Sequence, residues 1–438
     1  ETGQKHTLGR FKIFATADNA ALLRPLPARI RDLLAKPREQ RNDAEKQELT
    51  KYYLDTDSDL AGAKKLSDGA KRAREAAERA VPRTMVMRDR EKPRDTFILA
   101  KGAYDKHGDP VGPGTPAVLP KLPQDAPGNR AALAQWLVAV DNPLTARVTV
   151  NRIWQQFFGV GLVKTPDDFG AQGDKPSHPE LLDWLAIEFR ESGWDIKRLA
   201  KLITTSATYR QSAIVPEGMA ERDPENRLLA RGPRFRWPSW MIRDQALAIS
   251  GLLVEKVGGP PVKGYQPPGI WEDATFGQIK YTQDHGESLY RRSLYSFWRR
   301  IVGPTIFFDV SNRQTCSVKT QRTNTPMHAL TTLNDVTFVE AARAFGQKVF
   351  ESAANDEQRI AWAFRNCTTR VPNEKEVAVL KDSLARLRWS YSVDEAGAKR
   401  VIAVGGSNAD LAIPATELAA WTSISSLLLN LDETLTKE

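Results

Sequence analysis

Residues 142–211 constrain this chain more than any other stretch, because caps, breakers and apolar repeats agree there on three consecutive helices. Asn142 suits an N-cap and Pro143 the first helical position, where a missing N–H costs nothing. Ala146, Val150, Ile153, Trp154 and Phe157 then recur at helical spacing as one apolar face, and Gly159 and Gly161 stop the run. Ser177 and Glu180 form an S-x-x-E capping box around Pro179 and open a second helix, with Leu181, Leu182, Leu185 and Phe189 inward. Asp195 caps the third, whose inner face is Ile196, Leu199, Leu202 and Ile203.

Two polar residues stand out on the first of these helices. Arg147 and Asn151 share a face with Leu144 and Phe158, and a helix apolar on most of its circumference is buried, so both side chains need internal partners or a cleft. The loop that follows carries Asp167 and Asp168, and His178 and Asp183 lie just beyond it. Oxygen ligands with one imidazole would be a metal set, yet the spacing is irregular, and turn and cap roles already account for Asp168 and His178. No metal is expected.

The motifs NPLTARVTVNRIWQQFFGVGLVKTPDDFG, PSHPELLDWLAIEF, GWDIKRLAKLI, SATYRQS, YRRSLYSFWRR, RTNTPMHALTTLND and ELAAWTSISSLLLNLDET occur in this order, and with them the chain resembles the planctomycete surface-domain family, domain of unknown function 1553. The likeness runs from about Pro82 to the C-terminus. It implies the C-terminal portion of a longer exported protein, placed in the periplasm or at the cell surface. A c-type cytochrome module precedes the domain in some members, and the gene for a sulfatase-like protein often lies alongside. The resemblance supplies no reaction. His328 stands where the family more commonly has Gln, which makes it a poor choice for an essential acid or base.

The remainder of the chain reads as mainly α. Residues 1–20 suggest a strand at 8–15, a remnant of a preceding β-sandwich in the family's arrangement. Residues 21–104 form a helical hairpin arm (27–35, 43–54 and 57–80) followed by short strands at 84–87 and 96–99. Prolines and glycines punctuate a linker at 105–128, and 129–438 is a large irregular helical domain with few strands. Later helices are expected at 238–254, 325–333, 357–366, 373–388 and 415–429. The chain begins with Glu and carries no signal pattern, so its targeting region is expected to lie elsewhere. No segment approaches the roughly 18 apolar residues of a membrane span.

Net charge is +9, from 63 basic against 54 acidic side chains; this would attract polyanions, but a solvated surface rich in Lys and Arg is the reading that charge alone favours. The basic run 64–79 interleaves acids with its lysines and arginines, unlike the one-signed stripe that grips nucleic acid, so no nucleic-acid role is expected. Two cysteines, Cys316 and Cys367, exclude a disulfide scaffold and a cysteine-based zinc cluster but leave room for one bond between them. Without a C-x-x-C-H motif the chain holds no covalent haem; no cofactor is expected, and haem would belong only to a missing N-terminal module.

Metalloprotease, P-loop, nucleophile-elbow and dinucleotide motifs are all absent from the sequence. Asp168, Asp284 and His285 remain as candidate acid–base groups, the last two in a long aromatic loop at 260–288. The ligand-binding expectation is that Arg147, Asn151, Arg292, Arg322 and Asn324 line one anion-accepting pocket with Trp271 or Tyr281 as its wall; the alternative is a buried network. Two functions follow: a binding or scaffold module acting with the sulfatase-like partner on anionic polysaccharide, or a hydrolase of sulfated or acidic glycans. The second requires two convergent carboxylates among Asp167, Asp168, Asp273 and Asp284.

Overall fold

The computed structural model describes residues 26–91, 94–311, 316–319 and 322–437. Helix accounts for 52% of the chain and strand for 4%, so the protein is mainly α with few short strands. It divides into two compact units, Glu1–Asp95 and Thr96–Glu438. The strand expected at 8–15 lies outside the described residues.

The first unit is helical from α1 (Ala28–Ala35) through α2 (Asp43–Thr56) to α3 (Ser58–Ala80). Asn42 and Glu45 form a reciprocal capping box on α2: Asn42 Oδ1 accepts from the Glu45 N–H at 2.9 Å, and Glu45 accepts from the Asn42 N–H at 3.1 Å. The strand expected at 84–87 does not form. Met85 and Met87 are exposed, and alternation without a partner leaves a strand's N–H and C=O groups unpaired.

The second unit opens with a hairpin of β1 (Phe97–Leu99) and β2 (His107–Pro110). The segment expected as a linker therefore begins in a strand, and further along Pro120 accepts a hydrogen bond from the Trp136 indole of α4 (Arg130–Leu137) at 2.6 Å. Helices α5 (Thr145–Phe158), α6 (Pro179–Glu191) and α7 (Ile196–Thr205) then close one apolar core around Val150, Trp154, Leu182, Leu185, Phe189 and Ile203. The boundary of α5 falls two residues late: Asn142 accepts from the Leu144 and Thr145 N–H groups at 3.0 and 3.1 Å and caps the turn before the helix. Nor does the Ser177–Glu180 box form. Ser177 donates its N–H to the Leu162 carbonyl at 2.9 Å, so that backbone serves the long-range turn and α6 starts uncapped after His178.

After a short turn α8 (Met219–Arg222) and strand β3 (Phe235–Arg236), α9 (Ser239–Ser250) ends where Gly251 turns left-handed, short of the expected 254. The loop at 260–288 is ordered around a short α10 (Ile270–Ala274). Helices α11 (Pro326–Asn334), α12 (Val336–Ser352), α13 (Asp356–Thr368), α14 (Glu374–Val393), α15 (Glu395–Ile402) and α16 (Ala415–Leu429) follow, and α12, α13, α14 and α16 build a second core with α9. α16 buries Leu418, Ala420, Trp421, Ile424 and Leu428 and packs against α12. Gly346 makes that approach close: a Cβ there would stand 2.9 Å from the Trp421 and Thr422 backbone. The chain ends in α17 (Asp432–Leu435) and β4 (Thr436–Lys437), which pairs antiparallel with β3. No helix among the described residues is long and apolar enough to cross a membrane.

Candidate anion-binding site

α5 ends where Gly159 takes φ 81°, a backbone glycine adopts without strain. The chain then doubles back, and Asn151, fully buried, holds it: Nδ2 donates to the Val163 carbonyl at 3.0 Å and Oδ1 accepts from the Val163 N–H at 2.9 Å. Arg227 also binds this turn, donating to the Gly161 and Leu162 carbonyls at 2.8 and 2.7 Å. A second turn, 223–231, is built on Asp223, whose carboxylate accepts from the Arg227 and Leu228 N–H groups, both at 2.7 Å. Within it Asn226 sits at φ 53°, a conformation asparagine tolerates, and donates Nδ2 to the Arg231 carbonyl at 2.8 Å.

These two turns, β3 and Arg322 enclose a cleft of about 810 Å³. Six basic side chains line it (Lys164, Arg227, Arg231, Arg234, Lys319 and Arg322) against one carboxylate among the described residues, Glu225. Lys164 grips Glu225 at 2.7 and 2.8 Å, and this hydrogen bond holds the Glu225 carboxyl below the usual range. Arg234 pairs with Asp432 of α17. Arg322 lays its guanidinium 4.2 Å from the centre of the Phe235 ring and donates Nη1 to the Gly159 carbonyl at 3.1 Å. Burial pulls its pKa down and the charge of Asp309 opposes that pull.

Two residues that line this cleft carry buried polar atoms without partners, as do Arg236, Arg291, Arg343 and Ser425 elsewhere among the described residues. Arg231 is 9% exposed and donates Nη2 to the Pro224 carbonyl at 3.0 Å. Its Nη1 is buried without a hydrogen-bond partner among the described residues, and so is Oδ1 of Asn226. Such groups are rare in folded proteins, and each costs about 1–3 kcal/mol when unmet. One is a cationic donor and the other a neutral acceptor, both in residues that line the cleft.

The residues expected to form one pocket are dispersed. Arg147 donates to Asp183 Oδ1 at 2.6 Å and to the Pro143 carbonyl at 2.5 Å on the surface of α5 and α6. Asn151 serves the Val163 backbone. Trp271 is 1% exposed, stacked on Tyr281 with centroids 5.4 Å apart, and donates its indole N–H to Gln266. Arg292 lies outside the cleft, 3.8 Å from Asp244. Asn324 is exposed ahead of α11. Arg322 alone of the six lines the cleft.

The acid–base and metal candidates have local roles. Asp284 pairs with the Lys263 backbone, accepting its N–H at 2.8 Å; His285 is exposed before a short 3-10 turn. Asp168 accepts from the Gly170 N–H at 2.7 Å, and His178 Nδ1 lies 3.1 Å from Ser177 Oγ. Asp167 and Asp273 are exposed, and none of these carboxylates lines the cleft. Among the described residues no three metal-ligating side chains converge. His328 is buried, stacked on Phe308 at 4.1 Å. Arg291 staples backbone, donating to the Pro260 and Lys256 carbonyls at 3.1 and 3.0 Å. The cysteines are free, Cys316 exposed and Cys367 buried.

Asn226, Arg227, Arg231 and Lys319 carry no signal that marks them in the sequence, where 215–227 reads as a polar connection. The one available hint is ENRLLARGPR, three arginines among turn-forming residues.

The family described as PSD1, a protein of unknown function (DUF1553), matches residues 129–384, and the chain belongs to it. No curated protein and no solved structure matches.

Proposed function

We propose that this family member is a binding module whose basic cleft takes an anionic group of a polysaccharide. The carrying observation is the charge of the cleft, six basic side chains against one carboxylate among the described residues, itself paired with Lys164. A sulfate or carboxylate pairs with guanidinium and ammonium groups of this kind, and the hydroxyls of a polysaccharide can pair with the polar groups around them. Half-buried Phe235 and Trp240 add flat apolar surface of the kind that packs against a sugar ring. The net charge of +9 supports attraction of such a polymer over distance. In this reading the module works at the cell surface or in the periplasm beside a sulfatase-like partner, as the family's gene arrangement suggests. Hydrolysis of a glycosidic bond would use two carboxylates, and the described lining supplies one, already paired with Lys164. That favours binding over hydrolysis.

Calorimetric titration with sulfated and uronate-containing oligosaccharides tests this. Lys319 is exposed on the rim, so Lys319→Glu should leave the fold intact and weaken binding about tenfold or more, worth about 1.4 kcal/mol. Arg231→Lys keeps the charge but loses the planar fork, and should weaken binding likewise. Unchanged affinity in both variants would overturn the proposal.

A further inference from the structure

The basic cleft does not stand alone. Trp240 also lines a second cleft, of about 660 Å³, with Trp237, Asp244, Glu255 and Arg292. Its lining lacks the basic surplus of the first: two carboxylates and one arginine, whose Nε is 3.8 Å from Asp244 Oδ2, while the buried Arg243 lies 3.4 Å from Asp244 Oδ1 and offsets that charge. Asp244 Oδ1 is already held by the Ser293 N–H and Oγ at 2.8 and 2.7 Å, so Asp244 is fixed in place. The aromatic residues run from one cleft to the other: Phe235 lines the first, Trp237 meets it edge-on with centroids 5.6 Å apart, and Trp240 belongs to both.

We infer that the two clefts are consecutive subsites for one chain-like saccharide, an anionic unit in the basic cleft and an uncharged, hydroxyl-rich unit against Trp237 and Trp240. The inference rests on the anion-binding reading above and narrows its ligand. Indole faces accept the C–H face of a sugar ring, and Asp244 Oδ2 and Glu255 can accept hydrogen bonds from its hydroxyls. A second anionic unit placed there would meet the Glu255 carboxylate without the surplus of basic side chains that the first cleft supplies. A single-stranded nucleic acid fits poorly for the same reason, since each of its units carries a phosphate although its bases would stack well. The charge layout therefore selects a polymer in which charged and neutral units alternate.

Three tetramers test this: alternating uronate and N-acetylhexosamine, uronate throughout, and oligothymidylate. The alternating tetramer should bind at least tenfold more tightly than either uniform one. Glu255 is exposed and lines only the second cleft, so Glu255→Lys should erase most of that preference by strengthening the uniform tetramers. Equal affinity for all three, or a preference untouched by Glu255→Lys, overturns the paired subsites. If the protein then still binds a single uronate or inorganic sulfate, the anion site stands and only its extension fails. Tighter binding of oligothymidylate would identify nucleic acid as the ligand and overturn the inference.

Discussion

Asn151 holds Val163 across twelve residues by two hydrogen bonds, one donated and one accepted, as a neighbouring strand would. The carboxamide supplies to one residue's backbone N–H and C=O both partners that no helix or sheet offers them. The arrangement fixes the turn after α5, which forms one side of the basic cleft.

Asn151→Leu should lower stability by about 2–4 kcal/mol, because both Val163 backbone groups would be left buried and unmet. Arg147→Ala, one helical turn away, should cost under about 1 kcal/mol, since its pair with Asp183 is a third to a half exposed. Urea denaturation of the two variants checks the contrast; equal losses would refute it.

Arg322→Ala should weaken binding of a sulfated oligosaccharide about tenfold. Its stability loss should stay near 1–2 kcal/mol, the worth of one hydrogen bond and one stacked cation. Gly159→Ala should impair binding too, because the new Cβ would sit 2.8 Å from the Phe235 ring and 3.0 Å from Arg322 Nη1. Titration calorimetry read beside the melting curve decides whether Arg322 acts on the ligand or on the fold.

Acid should loosen the second core through two arginine clusters. Arg388 binds Asp356 at 2.5 and 3.0 Å and also grips Glu417, while Arg370 bridges Glu376 and Glu433. These hydrogen bonds hold the Asp356 and Glu376 carboxyls below their usual values. A depressed folded pKa contributes stability that is fully present above the unfolded value of about 4 and is lost as pH falls through the folded one. Stability should therefore fall from about pH 4.5 downward. Arg388→Met should flatten that fall and cost about 1–2 kcal/mol at neutral pH, since Arg388 is 34% exposed. Unfolding measured from pH 3 to 7 tests the slope.

Iodoacetamide should label one thiol rapidly in the native protein. Cys316 is exposed, whereas Cys367 lies in α13 with its thiol pushed up to about 12 by burial. The second label should appear only on unfolding. Mass spectrometry showing neither thiol reactive, before or after denaturation, would reveal a disulfide instead.

The sequence by itself determined the helices and most of their ends. The Asn373–Glu376 box opens α14, Asp195 and Asn129 cap α7 and α4 through their i+3 N–H groups, and α16 runs from Ala415 to Leu429 as its apolar pattern dictates. These signals are local, acting within one turn, so tertiary packing rarely reverses them. It did so at Ser177, whose backbone serves the distant Leu162. Where polar side chains find partners was decided only in three dimensions. Arg147 and Asn151 share a helix face in the sequence, yet a long side chain reaches the rim and Asp183 while a short one stays inside with Val163. Periodicity states which face a residue occupies and leaves open which chain segment crosses it. The basic cleft depends on such crossings: Arg322 meets Gly159 across 163 residues, and the turn carrying Asn226 and Arg231 folds over the end of α5 through Arg227. A contact between segments so far apart arises from how the helices pack, which no local pattern encodes.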